Sequence, residues 1–220
     1  NDLIDINIDA KIKRTSNRPL TSKKISIIEA LFLLFFLLLF SIIILIQFNY
    51  LAIIFGLLSI PLICIYPLTK RYTHWPQFFL GLVFSWGVLI VSIQFYNQII
   101  FDYFLLYLAC LFWTLAYDTI YAYQDRADDI KINIKSTAVL FGDAGHKYVL
   151  LFYLVFFSII GFLGYKSSQS YISLIVIFCA LFVIILFLNK WRLDSINSSN
   201  YYFRFNNFIG LFCFLFLILF

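Results

Sequence analysis

Eleven carboxylates stand in a chain of 220 residues, and seven of them fall in two tight groups. The first group is Asp2, Asp5 and Asp9, spaced to share one stripe of a helix. The second is Asp118, Asp125, Asp128 and Asp129. On a continuous helix Asp118, Asp125 and Asp129 share a stripe, and Asp128 points about 100° away. Like charges one turn apart repel and destabilise a helix, so such stripes call for a counter-charge. Carboxylate oxygens suit hard divalent cations, and Mg²⁺ is commonly held by one or two carboxylates together with substrate phosphates. Arg14, Arg18, Lys70 and Arg126 stand near these acids and fit the neutralisation of phosphate oxygens. The residues therefore point to a metal and phosphate site. The plainer alternative is a pair of solvated helix ends, each basic residue marking only the topology.

The elements that must carry these groups are membrane helices. Hydrophobic residues make up 63% of the chain and charged ones 12%, with a mean hydropathy of +0.95. A soluble domain carries roughly 25% charged residues, so soluble and disordered classes are both excluded. Stretches of about 20 apolar residues, enough to cross a bilayer, run near 26–46, 50–67, 78–97, 103–122, 148–165, 171–188 and 205–220. The fold class is therefore all-α and multi-pass, with seven spans. Of the 16 Lys and Arg residues, all but Lys166 fall in the segments 1–24, 68–77, 123–147 and 189–204, on one side of the membrane. By the positive-inside rule that side is cytoplasmic. The net charge of +5 is then a topological signal and gives no reason to expect nucleic acid as a partner. Both acidic groups lie on the same side. Asp118, about one turn inside the fourth span, is a functional candidate because intramembrane acids are costly.

Other features read more simply. Cys64, Cys110, Cys179 and Cys213 are scattered through apolar runs and lack the paired spacing of a zinc site. Pro61 is expected to kink the second span. Trp75, Trp191, Tyr201 and Tyr202 are expected at the interfacial belt. His74 and His146 are expected on the surface, and Glu29 near the start of the first span. The chain contains no Met, which suggests a longer protein whose N-terminus precedes Asn1.

The two acidic groups resemble the motifs of the UbiA superfamily of intramembrane aromatic prenyltransferases. Asn1 to Asp9 is similar to NDxxDxxxD, and Arg14-Thr15-Ser16-Asn17-Arg18-Pro19-Leu20 to the RTxxRPL that follows it. Tyr117 to Asp129 resembles YDTxYAxxDRxDD, and Tyr66 to Gln77 resembles YPxxKRxTxxPQ, both of the 4-hydroxybenzoate polyprenyltransferase branch. The resemblance runs through the whole chain, in order. It implies a single transmembrane prenyltransferase domain over 1–220, part of a nine-helix bundle whose first helix and most of the second would precede Asn1.

The activity implied is transfer of a polyprenyl group from polyprenyl diphosphate to the ring of 4-hydroxybenzoate, as in ubiquinone biosynthesis. The implied setting is a bacterial or mitochondrial inner membrane, with the site on the cytoplasmic or matrix face. The implied cofactor is Mg²⁺, held by Asp5, Asp9, Asp118, Asp125 and Asp129, which also form the catalytic set. Asn1, Arg14, Arg18, Tyr66 and Lys70 would contact the diphosphate, and Arg126 the aromatic carboxylate. Other aromatic acceptors within the superfamily remain an alternative. A transporter would place its acids near the midplane of repeated, broken helices, and no repeat is visible here.

Overall fold

A computed structural model describes residues 2–12 and 14–220. Asn1 and Lys13 lie outside the described residues, and with them the expected role of Asn1. The described chain is all helical, and seven helical stretches are long and apolar enough to cross a membrane.

A short helix α1 (Asp2–Asp9) precedes the first span, α2 (Ile27–Leu45). A capping box starts α2: the Glu29 amide donates to Ser26 Oγ at 3.2 Å, and the Ser26 amide donates to Glu29 Oε2 at 2.7 Å. Glu29 is thereby used as a cap. The helix is apolar on every side and buries none of its residues, the pattern of a lipid-facing span.

The second and third spans are each broken in two. The second consists of α3 (Tyr50–Leu57) and α4 (Ser59–Tyr72). Pro61, early in α4, has no N–H for the Leu57 carbonyl and crowds the preceding turn, so the expected kink falls at Leu58. The third consists of α5 (Pro76–Phe84) and α6 (Trp86–Tyr96), parted at Ser85. The two breaks touch: Trp86 Nε1 donates to the Phe55 carbonyl at 2.9 Å, and the two rings stack with centroids 5.0 Å apart. At the far end, Asn49 Nδ2 donates to the carbonyls of Ile93 and Gln94 and ties α3 to α6.

The fourth span, α7 (Phe101–Ala122), is the spine of the bundle. Against it pack α5 and the long α10 (Gly145–Ser168). A Cβ at Gly81 would meet the Leu111 carbonyl at 3.2 Å, so glycine there permits the close approach of α5 to α7. Between α7 and α10 run α8 (Arg126–Lys131), α9 (Thr137–Phe141) and a 3₁₀ turn (Gly142–Ala144). The fifth span thus begins well before the expected residue 148. The bundle closes with α11 (Tyr171–Leu188) and α12 (Ile196–Leu219). Lys166, the basic residue apart from all others, pairs with Asp102 at 2.5 Å.

The aromatic belt needs correction. Trp75 and Tyr201 are exposed, but Trp191 is 2% exposed and Tyr202 6%. Trp191 Nε1 donates to Ser199 Oγ at 3.0 Å and its carbonyl lies 2.6 Å from His146 Nε2, so the 189–195 loop folds inward over the bundle. The expected surface histidine is thus a tether between that loop and α10.

One polar cluster sits among the helices. Asn206 Oδ1 accepts from Trp113 Nε1 at 2.9 Å and from Tyr153 Oη at 2.7 Å, while its Nδ2 donates to the Tyr202 carbonyl. It joins α7, α10 and α12, the use of polar side chains expected between apolar helices. Asn206→Leu strands two donors and is expected to lower stability by about 2 kcal/mol, measured as a lower unfolding midpoint of the full-length protein in detergent.

Candidate active site

Local hydrogen bonds bring four segments together at the basic end of the bundle. The last carbonyls of a helix lack intrahelical donors, and those of α4 are met from the 132–136 loop. The Lys135 amide donates to the Lys70 carbonyl at 3.0 Å, and Lys135 Nζ to the Tyr72 carbonyl at 3.0 Å. Gln77, in the first turn of α5, accepts from the Thr137 amide at 3.1 Å, and the Thr119 and Thr137 hydroxyls lie 2.8 Å apart. α1 is held from α4, where Arg71 Nη2 donates to the Ile4 carbonyl at 3.3 Å.

The continuous helical stripe expected over Asp118 to Asp129 is not what forms. α7 stops at Ala122, and tighter bonds from Gln124 to the Tyr121 carbonyl and from Asp125 to the Ala122 carbonyl turn the chain before α8. The turn still delivers Asp118, Asp125 and Asp129 to one cavity of about 150 Å³, opposite Asp5 and Asp9 of α1. Arg14, Arg18, Tyr66 and Lys70 line the same cavity. Asp128 points away and bonds Lys131 at 2.9 Å, in line with its off-stripe position.

Around the cavity, carboxylates take the chain's own cations. Arg14 grips Asp125 with two hydrogen bonds, Nε to Oδ1 at 2.8 Å and Nη2 to Oδ2, and its guanidinium lies 4.7 Å over the Tyr121 ring. This bidentate bond to Asp125 outweighs the cost of burial and holds the Arg14 charge more firmly than usual. Arg18 bonds Asp9 at 2.9 Å and Asp2 at 3.3 Å. Burial, with Asp125 nearby, pushes the Asp129 carboxyl up to about 7.

Asp5 is the most constrained of these acids. Its side chain is 1% exposed, and Lys70 Nζ stands 2.5 Å from Oδ2. Yet neither of its buried oxygens receives an aligned hydrogen bond among the described residues. A dry carboxylate with unused lone pairs fits the coordination of a hard cation. Among the described residues, no three acids, histidines or cysteines are already drawn into a ligand cluster; Asp125, Asp9 and Asp5 pair with Arg14, Arg18 and Lys70.

Arg126 is the exception among the expected residues. It faces a neighbouring cavity, where Nη1 bonds Asp143 at 3.2 Å and the guanidinium lies 5.7 Å over the Tyr123 ring. Tyr121, Gln77, Lys135 and Ser136 also line the first cavity, although their residue types and spacing carry no expectation of a site role. Gln77 carried a signal: it is a polar residue at the start of an apolar helix, where only a specific partner makes burial tolerable.

The fold and this site define a membrane-embedded helical bundle with a charged cavity at one end. The same architecture occurs in the apo structure of a UbiA homolog from Aeropyrum pernix K1, with a TM-score of 0.80 at 20% identity, covering 99% of this chain and 82% of that one. The UbiA prenyltransferase family profile matches residues 1–219, and the chain belongs to that family. It is 38% identical over 216 residues to a 4-hydroxybenzoate octaprenyltransferase of Francisella tularensis subsp. novicida (strain U112), covering 98% of this chain and 76% of that protein. It is 44% identical over 153 residues to 4-hydroxybenzoate geranyltransferase 1 of Lithospermum erythrorhizon, covering 69% of this chain and 50% of that protein. The chain thus spans about half of one relative and three quarters of the other.

Gln77→Leu removes the acceptor for the Thr137 amide and is expected to loosen the 132–137 loop. Amide hydrogen exchange of that loop should quicken by roughly tenfold, the weight of about 1.4 kcal/mol of lost protection.

Proposed function

We propose that this protein transfers the prenyl group of a polyprenyl diphosphate to the ring carbon ortho to the hydroxyl of 4-hydroxybenzoate. The observation that carries the reading is the meeting of two acidic groups with Lys70, Arg14 and Arg18 around one cavity at the end of an apolar bundle. Both relatives are named for transfer to 4-hydroxybenzoate, and this supports the same acceptor here.

Proteins of this family are generally metal-dependent. Mg²⁺ is the metal proposed, and Asp5, Asp9, Asp118, Asp125 and Asp129 would hold it. Bound there, Mg²⁺ would stabilise the negative charge that the departing diphosphate acquires. The remaining work falls to the chain. Lys70, Arg18 and Arg14 offer cations to diphosphate oxygens, and the Tyr66 hydroxyl offers a further donor; Asn1 is proposed to join them. Arg14 is kept flat by the Tyr121 ring and by Asp125, which fixes the direction of its donors. The greasy prenyl chain is accommodated by the apolar bundle. The same apolar surroundings keep water from the allylic cation that forms when the carbon–oxygen bond breaks, until the ring attacks.

The proposed setting is a bacterial or mitochondrial inner membrane, with the cavity on the cytoplasmic or matrix side. The positive-inside asymmetry supports that orientation.

The test is prenyl transfer by the full-length protein, with 4-hydroxybenzoate and other aromatic acceptors offered separately. Transfer to 4-hydroxybenzoate is expected, with loss on chelation and recovery on adding Mg²⁺. Asp5→Asn and Asp125→Asn are each expected to lower kcat/KM by at least about a hundredfold, the scale of removing one group that stabilises developing charge. Full turnover under chelation, or in either variant, overturns the reading.

A further inference from the structure

The cations on the wall of the charged cavity are not equally free. Arg14, Arg18 and Lys70 are each committed to a carboxylate, Asp125, Asp9 and Asp5 respectively. Those are acids proposed above for the metal, so these three charges are already shared. Lys135 lines the same cavity and differs from them. It makes no ion pair among the described residues, and its Nζ donates to the Tyr72 carbonyl at 3.0 Å.

Tyr72 is the last residue of α4, so Lys135 rests on a helix C-terminus. A neutral carbonyl and the helix dipole hold an exposed ammonium weakly. A phosphate oxygen is the stronger acceptor, because both partners of that bond are charged. The backbone beside Lys135 is fixed without its side chain. The Lys135 amide donates to the Lys70 carbonyl at 3.0 Å and the Ile134 amide to the Asp129 carbonyl at 2.9 Å. Ser136 Oγ caps α9 by accepting from the Val139 amide at 3.3 Å. The flexible lysine stem therefore turns while its loop stays in place.

We propose that Lys135 exchanges the Tyr72 carbonyl for the terminal phosphate of the prenyl diphosphate, a contact that forms only when substrate enters. The inference rests on the transferase reading and adds a residue that selects diphosphate over monophosphate. Position assigns the phosphate. The prenyl tail belongs in the apolar bundle, so the terminal phosphate faces the outer rim. Lys135 Nζ stands at that rim, on the end of α4, whereas Lys70, earlier in the same turn, reaches the buried Asp5. Lys70 and Lys135 are thus set side by side by one backbone bond, the first facing inward and the second outward.

The test measures equilibrium binding to the full-length protein in detergent, with Mg²⁺ and no aromatic acceptor. Geranyl diphosphate and geranyl monophosphate are the probes, since a shared tail places the first phosphate alike. Lys135→Gln is expected to weaken the diphosphate at least about tenfold and the monophosphate less than about threefold, the weight of one charge-assisted hydrogen bond to the terminal phosphate. Lys135→Arg, which restores the charge, should recover most of that loss. Lys131→Gln removes a charge from the same stretch at a side chain that bonds Asp128; it should leave both affinities within about twofold, because an exposed charge is screened. In turnover, Lys135→Gln should raise the KM for the diphosphate and hold that for 4-hydroxybenzoate. An unchanged diphosphate Kd, an equal loss for the two probes, or an equal effect of Lys131→Gln overturns the proposal. Wild-type protein that binds the diphosphate through Lys135 but transfers no prenyl group refutes the transferase reading and leaves this contact standing.

Discussion

Carboxylates crowded at the end of an apolar bundle repel one another, and the repulsion is stronger there than in water because the surroundings screen poorly. The architecture of this end answers that constraint. Arg14 of the segment after α1 holds Asp125 at the α7–α8 turn, and Lys70 of α4 stands against Asp5 of α1. Arg18 reaches back along the chain to Asp9, at the end of α1. Two of the three pairs cross between elements, so charge balance and helix placement are the same fact. Neither part could be removed alone: a lone buried carboxylate costs several kcal/mol, and a lone buried cation as much.

The backbone around the pairs is fixed by bonds that carry no charge. Gln77 and Lys135 close the ends of α4 and α5 with the 132–137 loop, and the two threonine hydroxyls stitch that loop to α7. Behind them the Asn206 cluster locks α12 onto α7 and α10. α4, α5, α7 and the 132–137 loop are thus joined without the ion pairs, and the ion pairs in turn set α1 and the segment after it against them. That is the arrangement expected when charged groups must meet a substrate at fixed distances.

Much of this was legible from residue types. Spans are set by runs of apolar residues, and the seven expected runs are the seven helical stretches found. The sharing of a cavity by Asp5, Asp9, Asp118, Asp125 and Asp129 followed from their spacing and their common side, although α7 and α8 are not the single helix that the spacing assumed. The misses have physical causes. The break at Ser85 carries no proline and lies where Trp86 bonds the Phe55 carbonyl of α3, a contact that local sequence does not report. Trp191 and Tyr202 look like belt residues by type, yet they are buried because the 189–195 loop folds back, a tertiary event. Arg126 stands next to Asp125 in sequence, but the turn at 123–125 directs it to the other cavity.

The broken spans have a mechanical consequence. α4 packs against α5 and α3 against α6, so two spans are cut into two stacked hairpins rather than two rods. The hairpin 59–84 carries Tyr66, Lys70 and Gln77, and the pieces at the opposite leaflet carry none of the charged groups. A continuous rod transmits any change in bilayer thickness along its whole length as tilt. Here both spans are interrupted at the same depth, at Leu58 and Ser85, where the Trp86 indole bonds the Phe55 carbonyl. The charged groups therefore belong to helical pieces covalently continuous with, but geometrically separate from, those of the distant leaflet.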